Sequence, residues 1–245
     1  MRVLAVGAHP DDVELGCFAT LLEWKRLGHD VIAVALASGP YGEHAWSEIE
    51  SAWKKARSIL AQDAKGTSDY VLGDFPIGKL KHEWTTVGFV DELIQKYDID
   101  TVLAHHYGEA HQDHTAAQKI AVSAARRHVR SLYLWESVIY THRNVFPFRP
   151  QTYVAVQKEA FEGKIMALEA YRNAGLIEQD ELDAHRHLAR YRGIEMGREF
   201  AEAFEVIWVK RGFKIGQHIF NLTPVKEARA EHAVGQTGSD HGFFQ

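Results

Sequence analysis

The 245-residue chain has 46% hydrophobic and 25% charged residues, a balance that excludes a disordered or fibrous protein. Its formal net charge of −5 provides no overall attraction to nucleic acid or to an anionic membrane, so we expect small-molecule partners. The single cysteine, Cys17, cannot form an intramolecular disulfide, and the apolar run at residues 3–6 is too short for a signal-peptide core or a membrane span. We therefore expect a cytoplasmic protein. The sequence does not determine its oligomeric state, and a homo-oligomer is compatible with it.

Short apolar runs alternate along the chain with segments of helical periodicity. In chain order the sequence predicts strand 2–8, helix 13–27, strand 30–37, helix 47–61, strand 69–72, helix 83–97, strand 100–105, helix 113–127, extended segments near 132–140 and 152–156, helices 158–172 and 180–198, and strand 204–210. Such alternation is typical of α/β proteins with a mostly parallel sheet covered by helices on both faces. We predict a Rossmann-like three-layer αβα domain over residues 1–211 and an irregular extension over 212–245.

The first polar segment, HPDD at residues 9–12, directly follows the first predicted strand. In open parallel sheets, ligands bind beyond the carboxyl ends of the strands, which is where this segment lies. Pro10 restricts His9 to extended conformations, so the imidazole has little backbone freedom. Asp11 and Asp12 would point about 100° apart at a helix start, so one could bind a metal while the other moves protons. The alternative, that either aspartate only caps the helix, does not account for the histidine.

The second polar segment, HQDH at residues 111–114, follows the strand predicted at 100–105 and begins a helix. His111 and His114 face the same side if the first helical turn begins here, although such a pair is weak evidence alone. Together the two segments supply two histidines and one carboxylate, His9, His114 and Asp12, the pattern of a catalytic zinc site with an open position. Nitrogen ligands favour zinc or another divalent transition metal over magnesium or calcium.

These two segments resemble the hallmarks of the LmbE-like, or PIG-L, family of zinc-dependent N-acetylglucosaminyl deacetylases. The first hallmark is AHPDD after the first strand, here at residues 8–12, and the second is a helix start reading HxDH, here at residues 111–114. The resemblance extends over roughly residues 2–210. It implies the same Rossmann-like fold, with the site at the carboxyl ends of the strands.

The resemblance also implies a role for each residue of the two segments. It implies that the zinc ligands are His9, Asp12 and His114 and that Asp11 is the general base. It also implies that His111 polarises the scissile carbonyl and that Asp113 orients His111. The implied reaction is hydrolysis of an N-acetyl group from an amino sugar or glycoconjugate, giving acetate and a free amine.

Two departures from the family pattern leave the substrate open. Many members carry an arginine early in the second helix, where this chain has Glu50 and its neighbours. Others have an arginine after a Phe-x-Pro segment, where this chain reaches Lys79. Lysine is a less precise substitute, because it lacks the planar fork of donors that arginine offers.

Three other functions are alternatives to N-deacetylation. Hydrolysis of another small amide or carbamoyl-like group would use the same metal site. A non-catalytic sugar- or metal-binding protein would keep the fold, but binding alone does not need Asp11 as a base. A dinucleotide-binding oxidoreductase is disfavoured, because the first strand-to-helix turn at residues 7–12 lacks the Gly-x-Gly-x-x-Gly phosphate loop.

Overall fold

The computed structural model describes residues 1–62, 64–138 and 146–210, and the extension predicted at 212–245 lies outside these residues. Strands and helices alternate along the described chain. The strands are β1 Arg2–Gly7, β2 Asp30–Ser38, β3 Ser68–Pro76, β4 Thr101–Ala104, β5 Ser131–Trp135, β6 Thr152–Val156 and β7 Phe200–Val209. The helices are α1 Asp12–Gly16, α2 Phe18–Arg26, α3 Trp46–Leu60, α4 Trp84–Lys96, α5 Gln112–Ala125, α6 Lys158–Asn173 and α7 Gln179–Glu195.

The strands form one sheet in the order β3-β2-β1-β4-β5-β7-β6. The first five strands of this order pair in parallel, whereas β7 runs antiparallel to both β5 and β6. The predicted mostly parallel sheet is therefore confirmed. The chain leaves β1 towards β2 on one side and later returns to add β4 on the other, which places the topological switch point between β1 and β4. Ligands of open α/β sheets bind at this point.

Side chains alternate between the two faces of the sheet and bury both of them. Along β1, Val3 and Ala5 join one buried cluster, whereas Leu4 and Val6 join the other. The first cluster packs against α2, α3 and α6, and the second packs against α4 and α5, so the predicted three-layer αβα fold is confirmed. Burial on both faces explains why the strands appear in the sequence as continuous apolar runs. None of the helices in the described ranges is long and apolar enough to cross a membrane.

The single helix predicted over 13–27 is wrong, because the structure breaks it at Cys17 into α1 and α2. Cys17 has φ −146°, an extended conformation between the two helices. Gly16 lies against the indole of Trp135, where a Cβ atom would come within 2.6 Å of the ring. The chain thus changes direction at the end of α1, where Gly16 contacts Trp135 of β5. As a result, α1 is a separate short helix that follows the carboxyl end of β1.

Candidate metal-binding active site

The HPDD and HQDH segments meet at the switch point between β1 and β4. Asp12 lies between the two histidines predicted to bind metal with it. One of its carboxylate oxygens, Oδ2, is 3.5 Å from His9 Nδ1, and the other, Oδ1, is 3.2 Å from His114 Nε2. Asp12 and His114 are buried, and the side chain of His9 is 14% exposed. The fold therefore brings the predicted ligand residues together from two distant parts of the chain.

Each of these two histidines is held by a carboxylate through its other ring nitrogen. His9 Nε2 is 3.0 Å from Asp113 Oδ2, and His114 Nδ1 is 2.5 Å from Glu109 Oε2. The other ring nitrogens, His9 Nδ1 and His114 Nε2, are the ones that face Asp12. Carboxylate–histidine pairs of this kind orient the rings of metal sites and raise the basicity of the coordinating nitrogen. Sequence reasoning missed the role of Glu109, because the loop that carries it shows no spacing pattern.

A further histidine, His105, belongs to the same cluster and was not assigned from the sequence. Its ring stacks on that of His114 with the centroids 4.2 Å apart, and its Nε2 is 3.2 Å from Asp12 Oδ2. The N–H of Ala8 also points at this nitrogen, at 3.2 Å, and Nδ1 contacts the Glu109 carboxylate at 3.3 Å. Its position at the end of β4 is the signal that could have identified it, because His9 follows β1 in the same way.

Two overlapping groups of donor atoms could hold a metal ion. Potential ligand atoms lie within 4.8 Å of one another in the group Asp12, His105 and His114, and again in the group His9, His111 and His114. His114 is common to both groups. Imidazole nitrogens combined with a carboxylate are a donor set that suits zinc and other late first-row metals.

Carboxylates dominate the electrostatics of this cluster. Burial by itself would lower the histidine pKa values, but the acids raise the pKa of His9, His105 and His114 to about 9. Burial would likewise raise the pKa of Glu109, but the charges of His105 and His114 hold it at about 2. The protein thus surrounds its histidines with negative charge, an environment that favours a bound cation.

Asp11 has a backbone conformation that aspartate rarely adopts. Its φ is 127°, in the region that favours glycine, and such strain costs about 1–3 kcal/mol where it persists. Although Asp11 is the residue before α1, its side chain makes no capping hydrogen bond. Burial and the adjacent Asp12 carboxylate raise the pKa of Asp11 well above its usual range. The structure thus gives no support to the capping alternative for Asp11.

His111 stands at the start of α5 as a neutral hydrogen-bond donor. Its Nδ1 accepts the backbone N–H of Asp113 at 3.2 Å, so the ring proton resides on Nε2. Burial, and then the neighbouring His114, lower the pKa of His111 to about 4. The ring is therefore neutral at neutral pH, with its proton on Nε2.

Asp113 contacts a histidine of each polar segment. Its carboxylate accepts backbone N–H groups of Gly78 and Leu80, at 2.6 and 3.2 Å, and lies 3.0 Å from His9 Nε2. Its backbone N–H donates to His111 Nδ1 at 3.2 Å, so the contact that fixes the His111 ring comes from the main chain of Asp113. Asp113 thus ties the loop after β3 to the metal-binding cluster.

The two positions that replace the usual family arginines, Glu50 and Lys79, belong to neither group of potential metal ligands. Glu50 forms an ion pair with Lys54 one helical turn away on α3, with Nζ and Oε1 3.0 Å apart. Lys79 is exposed in the loop whose neighbouring backbone N–H groups bind Asp113.

Comparisons with known proteins agree with this geometry. Residues 4–125, which include both polar segments, match the PIG-L family model, described as GlcNAc-PI de-N-acetylase. A protein of Escherichia coli (strain K12) described as "Uncharacterized deacetylase YaiS" is 26% identical over 177 residues, which cover 70% of this chain and 90% of that protein.

Solved structures show the same fold at low sequence identity. The N,N'-diacetylchitobiose deacetylase of Pyrococcus horikoshii aligns with a TM-score of 0.66 and 16% identity, over 84% of this chain and 83% of that chain. GalB, the 4-carboxy-2-hydroxymuconate hydratase of Pseudomonas putida KT2440, aligns with a TM-score of 0.70 and 16% identity, over 86% of this chain and 98% of that chain. Because these two enzymes differ in reaction, the fold alone does not define the chemistry. The family match is more specific: residues 4–125 form a domain of the PIG-L, or LmbE-like, deacetylase family, a family of amide hydrolases.

Proposed function

We propose that this enzyme removes the acetyl group from an N-acetylated amino sugar or glycoconjugate, with a zinc ion held by His9, Asp12 and His114. One observation carries the proposal, namely that the two oxygens of Asp12 face His9 Nδ1 and His114 Nε2 at 3.5 and 3.2 Å. The opposite nitrogen of each ring is held by a carboxylate, as expected for metal-binding histidines. His105 fits less well as a ligand, because protein groups contact both of its nitrogens.

The substrate class rests on the comparisons. The matching family model is described by its action on an N-acetylglucosaminyl lipid, and the Pyrococcus horikoshii enzyme is named for an N-acetylated disaccharide. Both descriptions share an acetamide group on a sugar ring. Zinc is the metal that we propose, and another divalent transition metal would suit the same donor set.

In this proposal Asp11 and His111 do the proton and charge work. Bound zinc would supply Lewis-acid polarisation of the acetamide carbonyl and lower the pKa of the attacking water to about 7. Asp11 takes the proton as the water attacks the amide carbon, and it returns a proton to the leaving amine. His111 donates its Nε2–H to the carbonyl oxygen as negative charge develops there. The C–N bond breaks, and acetate and a free amine leave.

The proposal is tested by acetate release from a panel of amides. Protein stripped of metal with a chelator and reloaded with zinc should release acetate from N-acetylglucosamine, N,N'-diacetylchitobiose or an N-acetylglucosaminyl conjugate, and the stripped protein should not. N-propionyl and N-carbamoyl derivatives of the same sugars are the matched alternatives. Hydrolysis of those derivatives without acetate release from any acetamido sugar would contradict the proposal.

A further inference from the structure

The break between α1 and α2 creates two helix ends in the interior of the protein. The last carbonyls of a helix and its first N–H groups have no partner within the helix itself. Cys17, the residue between the two helices, is fully buried and makes no side-chain capping bond to α2. Because buried backbone groups without partners are unfavourable, these helix ends need hydrogen bonds from other parts of the chain.

Two buried charged side chains, one from α6 and one from β7, supply these hydrogen bonds. Lys164 Nζ donates to the carbonyl oxygen of Leu15 at 2.9 Å and lies 2.6 Å from Glu202 Oε1. The other carboxylate oxygen of Glu202 accepts the backbone N–H of Thr20 at 2.7 Å. One ion pair thus places a cation at the carboxyl end of α1 and an anion at the amino end of α2, the arrangement that helix dipoles favour.

The backbone contacts account for the presence of an ion pair at this buried place. The side chains of Lys164 and Glu202 are only 5% and 6% exposed. Burying two charges is costly, and a well-packed apolar pair is often at least as stable. An apolar pair would, however, offer no hydrogen bond to the Leu15 carbonyl or to the Thr20 N–H. The two charged side chains therefore do what apolar packing could not, which is to bind the backbone on both sides of the break.

Helix α1 connects this ion pair to the metal-binding cluster. The helix has five residues, too few for a helix to be stable by itself. Leu15, whose carbonyl binds Lys164, donates its own N–H to the carbonyl of Asp11 at 2.8 Å. Asp12 is the first residue of the same helix. The proposed base and a proposed zinc ligand thus lie within one helical turn of the residue that Lys164 holds.

We propose that Lys164 and Glu202 are positioning residues that fix the break between α1 and α2. By holding α1, they keep Asp11 and Asp12 in place relative to the histidines of the HQDH segment. This inference rests on the proposed function for the roles of the two aspartates. Neither Lys164 nor Glu202 belongs to a group of potential metal ligands, so both act through the backbone of α1.

The test measures zinc affinity, turnover and backbone order in Lys164→Met, which removes the donor to Leu15 and keeps an unbranched side chain. The dissociation constant of zinc, measured by competition with a chelator, should rise about tenfold, the lower end for groups that support metal ligands. At saturating zinc, kcat for acetate release should fall about tenfold and KM should change less than about twofold, because misplaced catalytic groups slow the reaction itself. The N–H of Leu15 should exchange with solvent about tenfold faster relative to the amides of β4, because α1 opens locally more often.

Lys25→Met is the matched control on the neighbouring helix. Lys25 is buried to the same extent as Lys164, each being 4% exposed, and its Nζ donates to the carbonyls of Leu60 and Gln62 at 2.6 Å. It lies at the end of α2 that is remote from the break. Lys25→Met should lower the melting temperature but leave zinc affinity, kcat and the exchange of the Leu15 N–H unchanged. Equal loss of zinc affinity in both lysine variants, or in neither, would overturn the inference.

A double variant separates loss of the anchor from the effect of an unpaired charge. Lys164→Met alone leaves the Glu202 carboxylate buried without a cation, which is strongly destabilising. Lys164→Met combined with Glu202→Gln removes both charges and keeps an acceptor for the N–H of Thr20, and it is the test variant if the single variant does not fold. It should melt at a higher temperature than Lys164→Met and bind zinc equally weakly, because the Leu15 carbonyl still lacks its lysine. Zinc affinity that returns to the parent value in the double variant would overturn the inference.

Failure of this inference is distinguishable from failure of the proposed function. Weakened zinc binding by Lys164→Met, in an enzyme whose parent releases no acetate, would refute deacetylation and support the positioning role. Acetate release and zinc affinity that are both unchanged in Lys164→Met would refute the positioning role and support deacetylation. If the parent protein binds no zinc, the proposed metal site is refuted, and the exchange rate of the Leu15 N–H decides whether the ion pair holds α1.

Discussion

The two walls of the small cavity beside the metal-binding cluster are built in opposite ways. On the wall formed at the ends of β1 and β4, the polar side chains contact one another densely, with Asp12, Glu109 and Asp113 each bound to at least one histidine. On the wall formed by α7, His185 also lines the cavity, and burial and the charge of Lys164 hold the pKa of this histidine well below its usual range. The acids of the first wall instead raise the pKa of His105 and His114 to about 9, so neighbouring acids decide the charge of a buried histidine on each wall.

The α7 wall nevertheless has a fixed position. Arg192 on α7 forms its two hydrogen bonds to Glu136, which follows β5, and a third to Glu195 on its own helix. This bidentate contact ties the helix to the sheet, because a guanidinium and a carboxylate match in planar geometry. The α7 wall is thus held by an ion pair to the sheet, whereas the first wall is held by contacts among its own acids and histidines.

The largest expected effect separates the two aspartates of the first wall. Asp11→Asn should retain zinc and lower kcat by about 10²–10⁴-fold, the usual contribution of a general base. Asp12→Asn should lose both zinc and activity, because Asp12 is a proposed ligand. Metal content by elemental analysis and steady-state kinetics measure these outcomes. Full activity in Asp11→Asn, or full zinc occupancy in Asp12→Asn, would show that the roles are assigned wrongly.

His111 should contribute less than the base but more than any positioning residue. His111→Ala should lower kcat by about 10²–10³-fold while zinc remains bound, the range found for loss of an oxyanion donor. His111→Asn restores an acceptor for the helix start and serves as the control for loss of the cap. Loss of zinc from the alanine variant would instead indicate that the metal is bound by the group His9, His111 and His114. It would contradict the proposal that His111 stabilises the oxyanion.

Glu109 should affect metal affinity more than chemistry. Glu109→Gln removes the negative charge that contacts His114 Nδ1, so zinc affinity should fall by about 10–100-fold. With zinc in excess, most of the activity should return. Glu92→Gln, an exposed change on α4, is the matched control. A loss of kcat that excess zinc does not restore would show that Glu109 takes part in the reaction and does not act only through His114.

The smallest expected effect concerns stability on the α7 wall. Burial, with a contribution from Glu178, raises the pKa of Glu181 from 4.5 to about 7. Between these two pH values the folded protein holds a proton that the unfolded chain has lost, so this group makes stability fall as pH rises through the window. Glu181→Gln should therefore gain thermal stability relative to the parent protein from pH 4.5 to 7 and keep a constant difference above that.

Thermal unfolding midpoints at a series of pH values measure this difference. Asp180→Asn, on the exposed side of the same turn, should show no such pH-dependent gain. The carboxylate of Glu109 and the ring of His114 line the same cavity and are unchanged in both variants. A difference between Glu181→Gln and the parent that does not vary with pH would contradict burial as the cause.

The sequence predicts the first wall far better than the second. Strands of continuous apolar residues identified β1 and β4, and the motifs at their ends identified the cluster around Asp12. The break at Cys17 was missed, because it depends on contact between Gly16 and Trp135, which lie far apart in the sequence. His185 and Glu181 were missed as well, because two polar residues one turn apart on a helix resemble any solvated face. Their burial arises only from the packing of α7 against the sheet.

The conformation of Asp11 has a consequence for directed evolution of this enzyme. Glycine adopts a φ of 127° without steric cost, so Asp11→Gly should raise the melting temperature while removing the proposed base. A library randomised at this position and screened only for heat resistance would thus enrich inactive clones. The same library screened for turnover should instead enrich clones with aspartate at this position. The difference in melting temperature between the clones from the two screens would measure how much stability the enzyme loses by keeping this carboxylate.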